Sequence, residues 1–467
     1  MTIATALIYL LAAVLFILGL QFLSSPRAAR LGNWMAAAGM VLAVGWTVIV
    51  LSHSFTFAGL VICVVGVVIG SVAGTVGART VKMTAMPQMV ALFNGVGGGA
   101  AALVALSELL KGAGSRPEIQ TGAPGVFALI VGGISFAGSL IAFAKLQELM
   151  TGTPITYPGQ HIVNALLALV ILALALVLLA VSSPVAVLIV LLALALALVL
   201  GAAFVLPIGG ADMPVVISLL NACTGLAVAA SGFALDNFAL IIAGTLVGAS
   251  GTLLTRLMSE AMGRSLANVL FGAVGKVQQE GSGTGAGAAG RMARSSTADD
   301  IGMLLAYARF VIIVPGYGLA VAQAQHVLRE LVDQLERRGV EVVYAIHPVA
   351  GRMPGHMNVL LAEAHVPYEE LKEMDEINDE FKRADVALVV GANDVVNPAA
   401  RNSPGSDIYG MPILNADRAR NVVFLKRSMR PGFAGIENEL FYDPRTIMLF
   451  GDAKESLIKL VAAVKAA

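Results

Sequence analysis

Residues 309–322 read RFVIIVPGYGLAVA, and this stretch decides the fold of the C-terminal part of the chain. Its first half is apolar and mostly β-branched, which predicts a buried strand. The strand runs into a G-x-G-x-x-A/V turn whose three positions are Gly316, Gly318 and Val321. In such a turn the first glycine permits a tight bend, the second lets the backbone approach a pyrophosphate, and the third residue packs the helix on the strand. The stretch therefore predicts a dinucleotide-binding unit that includes Ala322, and a glycine turn without a ligand is the alternative.

Strand and helix patterns alternate from this turn to the end of the chain. Val321 is larger than the usual Gly or Ala, so we expect the first helix, from about Leu319 to Arg338, to sit slightly further from the strand. Apolar runs predict further strands at Glu341–Ile346, Asp385–Val390, Asn421–Leu425 and Thr446–Phe450, before a last helix through Val464. The alternation predicts an α/β Rossmann-like domain with a doubly wound parallel sheet over residues 301–467.

The first half of the chain has the composition of a membrane protein. Hydrophobic residues make up 57% of the chain, charged residues 13%, and the mean hydropathy is +0.83. Segments of about 20 apolar residues, the length that crosses a bilayer as a helix, lie at 4–23, 34–51, 58–77, 86–110, 125–146, 162–181, 185–206, 214–235 and 238–257. They predict a membrane α-helical bundle of nine transmembrane helices over residues 1–260. Residues 261–300, which include GSGTGAG at 281–287, are predicted to be a flexible linker.

Loop charge predicts the orientation of the spans. The loops after odd-numbered spans, counted together with the adjacent span ends, carry more cations than the loops after even-numbered spans. The first set is Arg27, Arg30, Arg79, Lys82, Lys145, Arg256 and Arg264, and the second is Lys111 and Arg116. By the positive-inside rule the N-terminus is then outside and the C-terminal domain is cytoplasmic. A formal net charge of zero gives no support to nucleic-acid binding.

The residues at the predicted strand ends indicate which dinucleotide binds. An NAD site usually has an acidic residue after the second strand, but here the strand is followed by His347-Pro348. Arg352 follows soon after, and Lys426, Arg427 and Ser428 close the strand at 421–425. Cations and a hydroxyl at one crevice suit a 2′-phosphate and favour NADP(H) over NAD(H). The alternative for Lys426 and Arg427 is a solvated loop.

Three glycine-rich polar loops could enclose the ligand. One spans 351–358 and contains Pro354 and Gly355, the second spans 391–398, and the third resembles a lid with glycine hinges. The candidate residues of the last two are Gly391, Asn393, Asp394, Gly432, Phe433, Ala434 and Gly435. Neither His347 nor His356 lies near Cys or paired acids at metal-ligand spacing, so no metal is expected.

Few polar side chains interrupt the predicted spans. Asn94, Ser139 and Asn221 lie within them, and Asp212 lies at the mouth of span eight. Polar groups at membrane depth often line a proton or ion path, and hydrogen bonding between helices is the alternative. No Asp, Glu or His occurs at mid-span, so a proton path would depend on water and asparagine or on a partner subunit. Glycines repeated every three or four residues in spans three and nine predict close helix packing.

Several long motifs resemble the beta subunit of proton-translocating NAD(P) transhydrogenases, over essentially the whole chain. In the C-terminal domain they lie at 316–325, 347–352, 354–359, 374–378 and 391–394, and GGADMP at 209–214 is similar to a membrane motif of that family. The resemblance implies a Re/Si-specific enzyme that transfers hydride between NADH and NADP⁺ and couples the transfer to proton translocation. It places NADP(H) on this chain and NAD(H) on an alpha subunit that carries further membrane helices. It also implies a dimer of heteromeric assemblies in a bacterial inner membrane, surrounded by lipid.

The resemblance also assigns residues. The NADP contacts of the family correspond to Tyr317, Arg352, Asp394, Lys426, Arg427 and the lid at Gly432–Gly435. Its proton path corresponds to Ser139, Asp212 and Asn221. Some members carry a histidine where this chain has Asn94, which suggests that a partner's helix supplies the protonatable group. Phe433 replaces a common tyrosine of the lid, and no residue is assigned a catalytic role.

Two other functions fit the same sequence. One is a transporter or channel with an NADP-sensing domain, and the other is a membrane anchor for a dehydrogenase. A neighbouring chain with its own NAD-binding fold distinguishes the enzyme from the sensor. The anchor gives no purpose to the polar residues of the spans.

Overall fold

The computed structural model describes most of the chain. Its description leaves out residues 1–2, 24, 26–27, 52–55, 83–84, 112–117, 148, 152–154, 181–184, 210–211, 262–265, 267–292, 352–354, 404–405, 407 and 433–435. The described residues form two compact units, Met1–Thr255 and Arg256–Ala467. Most of the linker predicted at 261–300 lies outside the described residues.

The first unit is built from long apolar helices. Within the described residues, nine helices are long and apolar enough to cross a membrane, which confirms the predicted number of spans. They are α1 (Ile3–Leu23), α2 (Ala29–Leu51), α3 (Phe57–Thr80), α4 (Met86–Lys111), α5 (Ile119–Leu146), α6 (Gln160–Ala180), α7 (Ala186–Val205), α8 (Met213–Ala234) and α9 (Phe238–Ala261). The helices α2 and α5 begin about a turn earlier than the apolar runs, because their first turns contain polar residues.

Glycine contacts pack α8 against α9. A Cβ atom at Gly225 would lie 2.4 Å from the nitrogen of Gly248, and one at Gly244 would lie 2.3 Å from the nitrogen of Ala229. The close packing expected for span nine is therefore present. In span three, added Cβ atoms at Gly66, Gly70 and Gly74 would meet no described atom of this chain within 4 Å, so the close packing expected there stays a prediction.

Lys145 is buried at the end of α5, although its sequence position suggested a loop cation. The residue is 3% exposed. Its ammonium donates hydrogen bonds to the carbonyls of Leu206 and of Ile208, the latter at 2.8 Å. A buried ammonium is costly unless it is hydrogen-bonded, and carbonyls at the C-terminus of α7 suit a cation. Lys145 therefore ties α5 to the segment between α7 and α8.

The second unit contains a six-stranded, fully parallel sheet in the order β3-β2-β1-β4-β5-β6. Its strands are β1 (Phe310–Pro315), β2 (Glu341–Ile346), β3 (Leu371–Glu373), β4 (Val386–Val390), β5 (Asn421–Lys426) and β6 (Thr446–Phe450). The order of the strands reverses between β1 and β4, because β2 and β3 are added on one side of β1 and β4 to β6 on the other, and this is the topological switch point of a doubly wound sheet. The predicted fold is confirmed, and the short edge strand β3 is an addition to it.

Two apolar clusters cover the two faces of the sheet. Along β1 the side chains alternate between them, with Val311 and Ile313 on one face and Ile312 and Val314 on the other. The first face packs against helices, and the second is covered largely by short turns around Phe381 and Phe441. The helices of this unit are α10 (Ala298–Ala306), α11 (Tyr317–Val321), α12 (Gln325–Glu336), α13 (His356–Glu363), α14 (Met374–Ile377), α15 (Ala399–Asn402) and α16 (Ala453–Ala466).

The prediction of one continuous helix from Leu319 to Arg338 is wrong, because the structure has two helices there. This stretch is divided into α11 and α12 by Gln323, which adopts a left-handed conformation with φ of +49°. The side-chain amide of Gln323 donates to the carbonyl of Ala320 at 2.9 Å, so it satisfies an acceptor at the end of α11. Such a cap ends a helix, because a left-handed residue cannot continue it.

Candidate functional site

The glycine turn after β1 packs directly on the loop after β4. A Cβ atom at Gly316 would lie 2.4 Å from the Cα of Ala392, and one at Gly318 would lie 2.7 Å from the Cα of Gly391. The nitrogen of Gly318 donates to the carbonyl of Gly391 at 2.9 Å, and Gly391 has a φ of +71°. The structure therefore gives both turn glycines a packing role at the switch point, beyond the predicted approach to a pyrophosphate.

Val321 does not have the position that the motif predicted. It is 46% exposed, whereas Leu319 and Ala320 are fully buried against the sheet. The expectation that Val321 packs the helix on the strand is therefore wrong, because the five-residue helix α11 buries its middle residues instead. Ala322 is the half-buried residue that follows α11.

Tyr317 joins the first turn to the loop after β2. Its ring meets the ring of His356 edge to face, with centroids 6.1 Å apart. His356 is completely buried, and a Cβ atom at Gly351 would lie 2.4 Å from its Nδ1. Gly355 precedes α13 in a left-handed conformation. The glycine turn after β1 and the first of the three predicted loops thus meet at one edge of the sheet.

The third loop lies on the second at the carboxyl end of β4. A Cβ atom at Gly432 would lie 2.4 Å from Asn393 Nδ2 and 2.5 Å from Asp394 Oδ1. Asn438, which sequence reasoning missed, is completely buried and donates from Nδ2 to the backbone carbonyl and to Oδ1 of Asn393, at 3.1 and 3.2 Å. Asn438 thereby fixes the Asn393 side chain, and nothing in the sequence around it indicates that role.

The two cations at the end of β5 have different environments. Lys426 is half-buried, with its ammonium 4.5 Å from the centre of the Phe441 ring and bonded to the carbonyl of Arg430. This burial lowers the pKa of Lys426, and the nearby Asp394 carboxylate opposes the shift. Arg427 is exposed and bonds to Asp452 at 2.6 Å. The half-buried Ser428 accepts a long hydrogen bond of 3.5 Å from the nitrogen of Arg430.

Five predicted site residues lie outside the described residues: Arg352, Pro354, Phe433, Ala434 and Gly435. Their assignment as cofactor contacts stays a prediction. The described residues next to them are Gly351 and Gly355 after β2, and Gly432 and Ile436 after β5.

His347 and Asn378 hold the same edge of the sheet together. The ring of His347 is 1% exposed, accepts a hydrogen bond at Nδ1 from the nitrogen of Val349, and bonds through Nε2 to the carbonyl of Pro412 at 2.8 Å. Asn378 donates to the carbonyl of Ile413 and accepts from the nitrogen of Asn415. In this structure these two residues of the recognised motifs therefore hydrogen-bond their own loops to the segment at 412–415.

A second polar site lies among α4, α5 and α8. Asn94 Nδ2 donates to Ser139 Oγ at 2.9 Å and to Ser135 Oγ at 3.4 Å. Ser135 Oγ lies 2.6 Å from Thr224 Oγ1 and donates to the carbonyl of Leu220 at 2.9 Å. Asn94, Ser135, Ser139 and Thr224 are each less than a tenth exposed, and we call them the polar network.

Sequence reasoning found two members of this network and missed the other two. Ser135 lies one turn before Ser139 on α5, and Thr224 lies three residues after Asn221 on α8, so helical spacing could have indicated both. Within the described residues, no hydrogen bond joins the half-buried Asn221 to the network. Asp212 immediately precedes α8, about 18 Å along the helix from Thr224 by the rise per residue.

The fold and the two sites define a class of protein: a membrane-spanning helical domain followed by a Rossmann-like domain with closely packed glycine turns at its switch point. The sequence profile of the NAD(P) transhydrogenase beta subunit matches residues 5–463. Two relatives from Rhodospirillum rubrum, one from a particular strain, are each named NAD(P) transhydrogenase subunit beta. Each is 50% identical to this chain over 484 aligned positions, which cover 98% of this chain and 98% of the relative.

The chain belongs to the family of NAD(P) transhydrogenase beta subunits. It is therefore a membrane component of an enzyme that uses nicotinamide nucleotides, and an alpha subunit is its partner. The family predicted from the motifs of the sequence is confirmed.

Proposed function

We propose that this chain binds NADP(H) at the carboxyl edge of its sheet, while the alpha subunit binds NAD(H). The observation that carries the proposal is the contact of Gly432 with Asn393 and Asp394 beside Lys426. It brings the segment after β5 over the switch point, where open α/β sheets bind their ligands. The enzyme then transfers hydride between NADH and NADP⁺ with Re/Si stereospecificity and couples this transfer to proton translocation.

The residues present fit a dinucleotide phosphate. Within the described part of the chain, the buried Nδ2 of Asn393 has no acceptor, so a buried donor beside Gly432 has no protein partner. Lys426 and Arg427 supply positive charge at the end of β5, and no acid follows β2. This donor set suits the oxygen atoms of phosphate groups and the extra phosphate of NADP(H).

The nicotinamide ring supplies the hydride chemistry when it is bound. The residues of this chain bind and orient the nucleotide. Lys426 would hold one phosphate charge in a partly desolvated position. Arg427 would leave its exposed partner Asp452 and bind another phosphate oxygen. Tyr317, together with Gly355 and the lid at 432–435, encloses the ligand and excludes water. No side chain need act as an acid or base in the hydride step.

Calorimetry on a fragment of residues 293–467 tests the cofactor assignment, since the sheet and both apolar clusters lie within this range. We expect the fragment to prefer NADPH to NADH. Lys426→Ala and Arg427→Ala should each weaken NADPH binding about 10-fold to 100-fold, because a hydrogen bond to a charged group contributes about 1.5–3 kcal/mol. Binding of NADH should change little.

Arg420→Ala is the matched control for Arg427→Ala. Arg420 is equally exposed and pairs with Asp385 at 3.0 Å, but it precedes β5 and so lies at the opposite edge of the sheet. Equal affinity for both nucleotides, or equal losses in the two arginine variants, would contradict the assignment and favour a sensor domain on a transporter.

The polar network provides the proton path in this proposal, with Asn221 and Asp212 between the network and one end of α8. Within the described residues, Asn94 Oδ1 is buried and has no hydrogen-bond donor. An acceptor in this position can bind a water molecule or a donor from the alpha subunit. A histidine on a partner helix would supply the protonatable group that Asn94 lacks.

Reconstituted enzyme containing both subunits tests the path. Asn94→Leu and Ser139→Ala remove the bond between α4 and α5, and we expect each to slow proton uptake into liposomes at least about tenfold, as for the loss of a proton-transfer group. NADP(H) affinity should be unchanged. Thr245→Val is a suitable control, because in the described part of the chain the exposed Thr245 hydroxyl bonds only to the carbonyl of Ile241 on its own helix. Unchanged proton uptake in both test variants would refute the path.

The remaining assignments concern the assembly. The N-terminus lies in the periplasm and the α/β domain in the cytoplasm of a bacterial inner membrane, which the distribution of Arg and Lys between loops supports. Two heteromeric assemblies associate as a dimer, and lipid surrounds the apolar exposed faces of helices such as α3. Cysteine labelling from either side of the membrane checks the orientation.

A further inference from the structure

Helix α8 carries polar side chains at every third position from Ser218 through Asn221 to Thr224. A residue advances a helix by about 100°, so each step of three turns the side chain back by about 60°. Asn221 therefore lies between the other two on the helix surface, and the stripe extends about 9 Å along the axis. The stripe leads from the polar network toward the end of α8 that carries Asp212.

The Ser218 end of the stripe meets α9. Thr255 Oγ1 donates to Ser218 Oγ at 3.1 Å, and both residues are buried, with exposures of 1% and 6%. The Thr255 hydroxyl lies 2.7 Å from the carbonyl of Gly251, and the Ser218 hydroxyl lies 3.2 Å from the same oxygen. A Cβ atom at Gly251 would lie 2.9 Å from the nitrogen of Ala222, so the glycine permits this approach of α9 to α8.

The two hydroxyls have more than one arrangement of hydrogens. Each can donate a single hydrogen, and each is within reach of the other hydroxyl and of Gly251. In one arrangement Thr255 donates to Ser218 and Ser218 donates to Gly251. In the other Thr255 donates to Gly251, and Ser218 donates to Thr255. Exchange between two donor directions is what a hydroxyl needs in order to pass a proton onward.

We propose that Ser218 and Thr255 form the leg of the proton path between Asn221 and the Asp212 end of α8. This proposal rests on the proton path proposed above. A hydronium ion between Asn221 and Ser218 gives up a proton to the Ser218 oxygen and becomes water, while Ser218 releases its own proton to the Thr255 oxygen. Thr255 in turn releases its proton to water on the far side, so that each hydroxyl is regenerated. Asn221 orients the first water through its amide.

The test uses the complete enzyme in liposomes, with proton uptake and hydride transfer measured together. We expect Ser218→Ala and Thr255→Val to slow proton-coupled turnover at least about tenfold, with unchanged NADP(H) affinity. Thr255→Ser should restore most of the rate, because it keeps the hydroxyl. The solvent deuterium isotope effect on the coupled rate should rise in Ser218→Ala, which a purely structural loss would not produce.

Thr252→Val is the matched control on the same helix, because among the residues that the structure describes the Thr252 hydroxyl bonds only to the carbonyl of Gly248 of α9, at 2.8 Å. Full proton uptake in Thr255→Val, or a Thr255→Ser variant as slow as Thr255→Val, would overturn the proposal. The rates of Ser218→Ala and Thr255→Val are compared with the rate of Asn94→Leu. If Asn94→Leu is slow while Ser218→Ala and Thr255→Val are fast, only this leg is wrong, whereas three fast variants refute the whole path.

Discussion

His347 lies at the carboxyl end of β2 with both ring nitrogens in hydrogen bonds. Because the nitrogen of Val349 can only donate, Nδ1 must be the unprotonated acceptor, and Nε2 donates to Pro412. Burial lowers the pKa of His347 to about 4, and the bond to the Pro412 carbonyl opposes the shift. The neutral ring is therefore part of the folded structure, and its protonation would break the bond from Val349.

This pKa predicts a pH-dependent contribution to stability. The unfolded chain takes up a proton on His347 as the pH falls through about 6.5, whereas the folded domain resists protonation down to about pH 4. The contribution of neutral His347 to the free energy of unfolding is thus complete above pH 6.5 and is lost as the pH falls from 6.5 to 4. It amounts to about 3 kcal/mol at most.

Urea unfolding of the fragment 293–467 at several pH values measures this effect. The difference in the free energy of unfolding between the unmodified fragment and His347→Gln should shrink as the pH falls from 6.5 to 4. His326→Gln, at an exposed position on α12, should follow the unmodified fragment throughout. A difference for His347→Gln that does not vary with pH would contradict the argument.

At the scale of elements, the turns after β1 and β4 depend on the contact between Gly391 and the first residues of α11. Gly391 and Gly339 have similar left-handed conformations, with φ of +71° and +82°. A Cβ atom at Gly391 would lie 2.4 Å from the nitrogen of Leu319, whereas one at Gly339 would meet no described atom within 4 Å. Alanine at Gly339 therefore measures the free-energy cost of a left-handed conformation alone. Alanine at Gly391 measures that cost together with the cost of a steric clash.

Alanine substitution at these glycines should give unequal losses. Gly339→Ala should lower the free energy of unfolding by about 1–2 kcal/mol, the cost of a left-handed conformation for a residue with a Cβ atom. Gly391→Ala should lower it by several kcal/mol in total, of the order seen for overpacking of a core added to that cost. Denaturant unfolding of the fragment 293–467 gives both values, and equal losses would show that the contact with α11 relaxes freely.

At the scale of the whole molecule, the chain divides into a unit of long apolar helices and an α/β unit with its own hydrophobic core. The α/β unit includes residues before the predicted boundary at 301. The nitrogen of Met448 in β6 donates to the carbonyl of Arg294 at 2.7 Å, and the nitrogen of Ser296 donates back to Met448 at 3.1 Å. Thr297 then caps α10, with its hydroxyl accepting from the nitrogen of Asp300.

Fragments with different first residues test this boundary. A fragment of residues 301–467 lacks both backbone bonds, the cap and the first turn of α10. We expect it to be less stable than the fragment 293–467 by about 3 kcal/mol, taking about 1 kcal/mol for each lost bond and for the cap. Thermal and urea unfolding compare the two fragments. Equal stability would show that residues before 301 only lie along the edge of the sheet.

The parts of the fold that the sequence predicted depend on local patterns. Length and apolarity identify a membrane helix, so all nine described spans could be predicted. Strand β3, the residues Leu371–Glu373, could not, because it is short, lies at the edge and has two charged side chains. The break at Gln323 was also missed, since glutamine favours helices and its left-handed cap is set by contacts around α11.

The sequence by itself determined the membrane helices, the parallel α/β domain, the glycine turn and the family. Each depends on composition, periodicity or a contiguous motif, which are properties of neighbouring residues. Only the tertiary structure decided that Gly432 lies on Asn393, that Asn438 holds this asparagine, and that Ser135 and Thr224 complete the polar network with Asn94. These partners lie far apart along the chain: Ser135 and Thr224, for example, are 89 residues apart in the sequence and 2.6 Å apart between their hydroxyl oxygens. Helix and sheet packing, which no local pattern encodes, sets such contacts.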